Sequence, residues 1–503
     1  MKNKFYLFMI TATLLISNVS LPAFFINAEA AASKTTTSVS SSKKYYYNVK
    51  DFKGKNISDG KAIQNALDKA LKAPKNTIVE VYIPAGNYVL DRTLMVHSNT
   101  YLHADKNAVI TNNKYRVMMT TWSSKMSKIG GYDQVKNVTI DGGTWNGNAK
   151  DNSTTIYSLV RIAHGKNITL KNAKFLNYSG YHCVVFAGVD NLTVDKIEIS
   201  GYHKYGGKLQ EMKNRYNSFW SYFTLEALHI DTFAGESMGP IEANTVNKNI
   251  TVKNCTFHDV PSGIGSHTKD AVTNPVRVKQ GNNYVIENNT FYNIYSNCIN
   301  LYHYNNVSIK NNNCKSAPVF AFVVNSNNVN IAANNITCSK YNVFPEQKQS
   351  VDAIRIENSV VNQLTKNSIS NSVNNGVIIK TNSKVKNASY NDISYSGSNG
   401  IRVSDHAYAR LVKNVIINTN EFPIIGCTTS TGSASQNYFD SSKSYTYNNR
   451  YFKITYNYTS NDLNSLGYSS IYNAVSSNYK ASTSNFGYAY SLFAKINLFS
   501  ALN

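Results

Sequence analysis

NITLKNAKF starts at Asn167, NLTVDKIEI at Asn191 and NITVKNCTF at Asn249. Each phrase has an Asn, a few alternating apolar residues and a polar turn, typically Lys-Asn or Asn-Asn. NVTIDGGTW at Asn137, NYVIENNTF at Asn283, NVSIKNNNC at Asn306 and NVNIAANNI at Asn328 repeat it. The pattern runs from about Val138 to Asn420. A second apolar strand lies between the phrases, opening at Val160, Val184, Leu228, Ile264, Ile299, Phe320, Ile354, Val377 and Ile401. Steps without insertions are 24 residues (160 to 184, 377 to 401) or 23 (354 to 377). A period in the low twenties with several short strands per repeat predicts an all-β fold, a right-handed parallel β-helix of about ten coils. A leucine-rich repeat needs recurrent leucines and a propeller needs hairpin signals, and neither is present. Asn in the turns suits left-handed backbone and stacked amides.

A solenoid has open apolar ends, and the chain before the repeats offers a cover. After Asp59-Gly60, apolar Ile63, Ala66, Leu67, Ala70 and Leu71 recur at helical spacing, and a strand Val79 to Ile83 follows. Further upstream, Lys2 and Lys4, an apolar run from Phe5 to about Leu21 and Ala28-Glu29-Ala30 read as a secretory signal over 1–30. Residues 31–47 read as a flexible leader, 48–430 as the β-helix and catalytic domain, and 431–503, rich in Tyr and Asn, as a C-terminal cap or a glycan-binding extension. The expected location is extracellular, with wall association, no membrane span after signal cleavage, and a monomer.

The 503 residues are 42% hydrophobic and only 16% charged, with a formal net charge of +22. An acidic partner such as an anionic polysaccharide, or a bacterial wall or capsule glycan, fits that charge. No compact basic run or nucleic-acid motif is present, which argues against nucleic acid. Cys183, Cys255, Cys298, Cys314, Cys338 and Cys427 form no CxxC pair and sit mostly in apolar strand patterns, so they read as small buried residues rather than metal ligands.

The candidate site centres on EALHID, Glu226 to Asp231, and GIGSH, Gly263 to His267. Alternate strand residues face opposite sides, so His229 and Asp231 face outward while Leu228 and Ile230 face the core. Phasing the second strand gives one outward column with His229, Gly265, Asn300, Ala321 and Arg355. The next holds Asp231, His267, Tyr302, Val323, Glu357 and Lys380. Parallel stacking predicts Asp231 beside His267. Glu226 has interior parity and reaches the surface only from a turn before its strand. Asp231 and Glu357 are four coils apart, roughly 19 Å at the usual strand spacing, too far for a glycosidase carboxylate pair at about 5–9.5 Å. Glu226, or a loop acid such as Asp259 or Asp270, must therefore partner Asp231. Asp231, Glu226, His267, His229 and Asp270 are the candidate catalytic residues. Tyr302, Asn300, Arg355, Glu357, Lys380 and Trp220 are the candidate substrate contacts. For Arg355 and Glu357 an outward salt bridge is the plainer alternative.

With the cap helix, the coils and the run VTIDGGTWNG from Val138 to Gly147, the chain resembles secreted pectate-lyase and polygalacturonase-like β-helix proteins over roughly Asn48 to Cys427. That resemblance implies a polysaccharide-cleaving enzyme. EALHID falls where polygalacturonases carry an Asn-Thr-Asp strand, with Asp231 matching its last Asp. Leu228 stands at the catalytic Asp position, and Pro261-Ser262 replace the paired Asp-Asp, so that mechanism does not carry over. No run of stacked acids matches the calcium clusters of pectate lyases, and no metal or other cofactor is read. Glycoside hydrolysis is slightly favoured. The alternatives are a lyase acting on a uronate-containing glycan and a non-catalytic glycan-binding surface protein.

Overall fold

A computed structural model describes residues 44–75, 77–113, 117–121, 131–151, 158–204, 224–231, 245–266, 281–339, 351–439, 451–455 and 457–459. The strands stack in parallel as a right-handed β-helix with three faces. One coil runs Asn297–Tyr302, Tyr304–Lys310 and Asn313–Ala317, and the next coil opens with Val319–Val324. Asn297 pairs with Val319 in parallel, so each face is a ladder of strands one coil apart. The first two faces merge into a 25-stranded sheet and the third is a 14-stranded sheet. That exceeds the expected ten coils, because coils form before Val138 and strand pairing continues to Tyr458–Thr459. Early in the chain, Ser158–Lys171 and Val184–Asp195 each run through from the first face to the second.

Alternation decides what is inside. Val184, Phe186, Leu228, Ile230, Ile264, Ile299 and Ile354 are fully buried core residues of the first face. On one coil the register differs from the sequence reading by one residue. Asn300 pairs with Phe322 and Tyr302 with Val324, so Phe322 and Val324, not Ala321 and Val323, continue the outward columns. Every residue of Val319–Val324 is apolar and buried, so alternation gives no phase there.

The cap helix spans Asp59–Leu67, with Ser58 at its N-terminus accepting from the Lys61 N–H at 3.2 Å. Ile63, Ala66 and Leu67 are buried in the core that the coils share. The chain then tightens into a 3-10 turn over Asp68–Lys72, which takes Leu71 off the expected apolar stripe and leaves it 66% exposed. Among the described residues, no helix is long and apolar enough to cross a membrane.

Asparagines fill the turns. Asn137, Asn167, Asn191, Asn249, Asn283, Asn306 and Asn328 all have φ near +55°, the left-handed region that Asn tolerates best among residues with a side chain. A second, inner ladder lies at the turn into the third face. Asn312 donates its amide to Asn334 Oδ1 at 3.0 Å and to the Ile286 carbonyl at 3.0 Å, and its backbone N–H also donates to Asn334 Oδ1 at 3.0 Å. Asn334 repeats this on Asn367, and Asn367 on Asn391. All six cysteines are unbridged, and five are buried.

Asn334→Ala leaves backbone and amide groups of the neighbouring coils without partners in a fully buried position. We expect a loss of about 3 kcal/mol, since each orphaned buried group costs about 1–3 kcal/mol. Asn306→Ala, in the exposed outer ladder, should cost below about 1 kcal/mol. Denaturant titration of the two variants checks the contrast.

Candidate functional site

Glu226–Asp231 pairs on one side with the strand of Val184, where Val185 meets His229 and Ala187 meets Asp231. On the other side it pairs with Ser262–Gly265, where Glu226 meets Ser262 and His229 meets Gly265. Gly265 in turn meets Asn300. His229, Gly265 and Asn300 therefore stand in one outward column with a gap at the glycine. The Glu226 side chain occupies that gap. A Cβ on Gly265 would lie 2.5 Å from the Asn300 carbonyl oxygen and 3.0 Å from Glu226 Cγ. Glu226 is the first residue of its strand, and its carboxylate reaches the outer-column side chains yet stays fully buried. It is not the solvent-reaching turn acid that the sequence reading requires.

The carboxylate is held from several sides. Asn300 Nδ2 donates to Glu226 Oε1 at 2.9 Å. His229 Nδ1 lies 3.2 Å from Oε2. His182 Nδ1 lies 3.1 Å from the Glu226 carbonyl oxygen and 3.4 Å from Oε2. The rings of His182 and His229 stack, with centroids 3.8 Å apart and planes 12° off parallel. On its far side His229 Nε2 is 3.6 Å from Asp231 Oδ2. Carbonyl and carboxylate oxygens only accept, so each Nδ1 carries the hydrogen, and in a neutral ring Nε2 is the basic nitrogen. The end of the strand is fixed from below: Tyr304 donates its hydroxyl to the Ile230 carbonyl at 2.7 Å, and Asn247 its amide to the Asp231 carbonyl at 2.5 Å.

The two Nδ1 atoms and a Glu226 oxygen lie within 4.8 Å of one another, a donor set suited to a transition metal. Nearly parallel stacked rings hold their in-plane lone pairs side by side rather than convergent. An ion between them would sit well out of both ring planes, so the set fits hydrogen bonding better than ligation.

Tyr302 follows Asn300 by two residues and therefore shares its outer face. Burial pushes its phenol well above the usual range, Glu226 and Glu357 add to that, and Arg355 opposes it. The phenol thus keeps its proton at neutral pH. Its ring meets Phe322 edge-on at 5.6 Å, and Arg355 lies over the other ring at 5.3 Å. Arg355 and Glu357 form the plainer alternative, a salt bridge at 2.5 Å, with Lys380 3.6 Å from the same carboxylate oxygen and Asp352 3.7 Å from Arg355. Strand by strand, Arg355 is four steps from His229, roughly 19 Å at the usual spacing.

The structure thus joins Glu226, His229, Asp231 and Asn300, with Tyr302 next to Asn300, and sets Arg355, Glu357 and Lys380 apart as an ion cluster. Asp259 belongs to the third face, where it pairs with His258 at 2.6 Å. His267, Asp270 and Trp220 lie outside the described residues, and so does the expected contact between Asp231 and His267. Sequence reasoning missed His182. The signal was available: His182 precedes Val184 by the two residues that separate Glu226 from Leu228, and Val184 pairs with Leu228.

Gly265→Ala should displace Asn300 and Glu226 together, because the new methyl group meets a backbone oxygen that cannot rotate away. Overpacking of this kind costs about 1–3 kcal/mol. The expected result is a lowered melting temperature together with loss of the Glu226–His229 contact, checked by calorimetry and a structure of the variant.

Residues 46–283 match the family described as rhamnogalacturonase A/epimerase, pectate lyase-like. Over 266 residues, 47% of this chain, the sequence is 25% identical to plasmin and fibronectin-binding protein A of Streptococcus pneumoniae, and the match spans 35% of that relative's length. A crystal structure of PfbA, a surface adhesin of Streptococcus pneumoniae, superposes with a TM-score of 0.53 at 19% identity, covering 82% of this chain and 93% of that one. A second PfbA structure, described as a surface protein and adhesin, gives 0.50 at 16% identity, covering 82% and 100%. Residues 46–283 thus carry the match to the pectate lyase-like family, and the stacked coils of the described residues form a right-handed parallel β-helix.

Proposed function

We propose that the protein is an exported enzyme that cleaves a uronate-containing polysaccharide by β-elimination in the groove over His229, Asp231, Asn300 and Tyr302. The observation that carries this is the His229 ring held by the buried carboxylate of Glu226 at 3.2 Å. A buried acid that fixes the tautomer and orientation of a histidine is the standard way to prepare a proton-transfer group. Elimination from a uronate needs a base at the carbon next to the carboxyl group and a donor for the leaving oxygen. His229 supplies the first kind of group, and the protonated phenol of Tyr302, two residues beyond Asn300 on the same outer face, is a hydroxyl of the second kind. Ala163 and Ala187, small residues in the Asp231 column, keep the approach open.

Hydrolysis, slightly favoured by the sequence, is less well supported. It needs two carboxyl groups flanking the bond. Glu226 is sealed from the groove, and Glu357 is both distant from Asp231 and engaged by Arg355 and Lys380. A second reading rests on the 25% identity to a plasmin and fibronectin-binding protein: a surface adhesin that binds without cleaving. The formal charge of +22 and the signal-like N-terminus suit either an exported enzyme or an exported binder.

The test is a panel of polygalacturonate, alginate, hyaluronan and neutral glycans, followed by absorbance of unsaturated uronates and by new reducing ends. Unsaturated products are expected. Reducing ends without them would mean hydrolysis, and retained binding with neither would mean an adhesin. On the substrate so found, His229→Ala and Glu226→Gln should lower turnover by about 100- to 10,000-fold. Asp231→Asn should lower it while melting within a few degrees of the wild type.

A further inference from the structure

The outward column of His229, Gly265 and Asn300 continues beyond the ion cluster. Phe322 follows Asn300, then come Arg355, Ile378, Arg402 and Ile425, each paired in parallel with the one before. Arg402 stands six strand steps from His229, roughly 29 Å at the usual spacing. The cations before it are committed: Glu357 holds Arg355 at 2.5 Å and Lys380 at 3.6 Å. Arg402 is not. Among the described residues no carboxylate pairs with it, and its Nε–H is buried without an acceptor. Asp405, three residues on, lies 3.8 Å from Lys380. Glu421, at the start of the following coil, accepts from Ser398 at 2.7 Å and from Asn399 at 3.3 Å. The neighbours of Arg402 in the column are Ile378, buried, and Ile425, half-buried. Apolar side chains on both sides lower the local dielectric and strengthen any charge contact that the guanidinium makes. A buried donor left unpaired is costly, and an acceptor from outside the chain accounts for this one.

We propose that Arg402 anchors the substrate chain, taking the carboxylate of a uronate several sugars away from the bond cleaved at His229. A guanidinium is a planar fork that matches a carboxylate with two parallel hydrogen bonds. Because Arg402 shares a column with His229, a polymer lying along the first face reaches both residues, whereas a short oligosaccharide cannot. The anchor rests on the reading of the substrate as a uronate-containing polymer, and not on how that polymer is cleaved.

The test is binding of the full-length protein, at fixed ionic strength, to immobilised polygalacturonate, alginate, hyaluronan and polyphosphate. The wild type should bind a polyuronate, and Arg402→Gln should weaken that binding about 10- to 100-fold, the effect of losing a charge-assisted hydrogen bond. The variant should melt within a few degrees of the wild type, since no partner in the folded chain is lost. Arg402→Lys keeps the charge without the fork and should recover only part of the affinity; it decides the matter if Arg402→Gln does not fold. Arg410→Gln removes the same charge from an exposed strand of the second face and should bind as the wild type does. Unchanged binding by Arg402→Gln, an equal loss in Arg410→Gln, or a wild type that binds no polyuronate would overturn the proposal. So would Arg402-dependent binding to polyphosphate alone, which would mark a phosphate polymer instead. Binding through Arg402 without unsaturated products would sink the elimination reading and leave the anchor standing. Elimination with binding indifferent to Arg402 would do the reverse.

Discussion

The inner asparagine ladder is the interaction on which the rest depends. A solenoid coil must turn sharply while its backbone passes through the core, and each turn leaves N–H and C=O groups that water cannot reach. From Asn289 through Asn312, Asn334, Asn367, Asn391 and Asn414 to Asn437, one side chain per coil satisfies those groups and donates its amide to the side-chain oxygen of the next. The amide suits this position because it both donates and accepts at one end of a short stem. The ladder fixes where every later coil turns, and so fixes which residues of the first face stand over one another.

That register makes the site. Glu226, His229, Gly265 and Asn300 come from three strands separated by long stretches of sequence, yet parallel pairing sets them within contact. Gly265 is decisive because it contributes no side chain. In its place the Glu226 carboxylate bridges the His229 coil to the Asn300 coil. A buried carboxylate is costly unless hydrogen-bonded, and here two histidines and an amide meet that need. The acid therefore orients its neighbours and is withheld from solvent.

Charge is distributed by the same stacking. On the second face Lys171 sits 3.2 Å from Asp141, Lys248 3.4 Å from Asp190 and Lys310 3.0 Å from Glu287. Opposite charges on adjacent coils balance one another there, so the formal excess of positive charge does not mark that face as a polyanion surface. Arg355 and Lys380 are likewise committed to Glu357, an arrangement foreseeable from two opposite charges spaced i,i+2 on one strand.

The sequence by itself determined the fold class, because a period of 23 or 24 residues with Asn at the turns leaves few alternatives to a parallel β-helix. It also determined that His229 and Asp231 share the outer surface, since strand parity is a local property. It placed the cap helix but not Leu71, whose exposure follows from the 3-10 turn at Asp68–Lys72. Where parity fails, only tertiary structure decides. The uniformly apolar strand Val319–Val324 carried no phase and was misread by one residue. Glu226 reads as an interior residue, and its place over Gly265 follows from a neighbouring strand's missing side chain. His182 became visible only when the coil carrying Val184 stacked on the coil carrying Leu228. The physical reason is common to all three. Parity is written within a strand, whereas the site is made between strands, by a register that depends on how every turn between them closes.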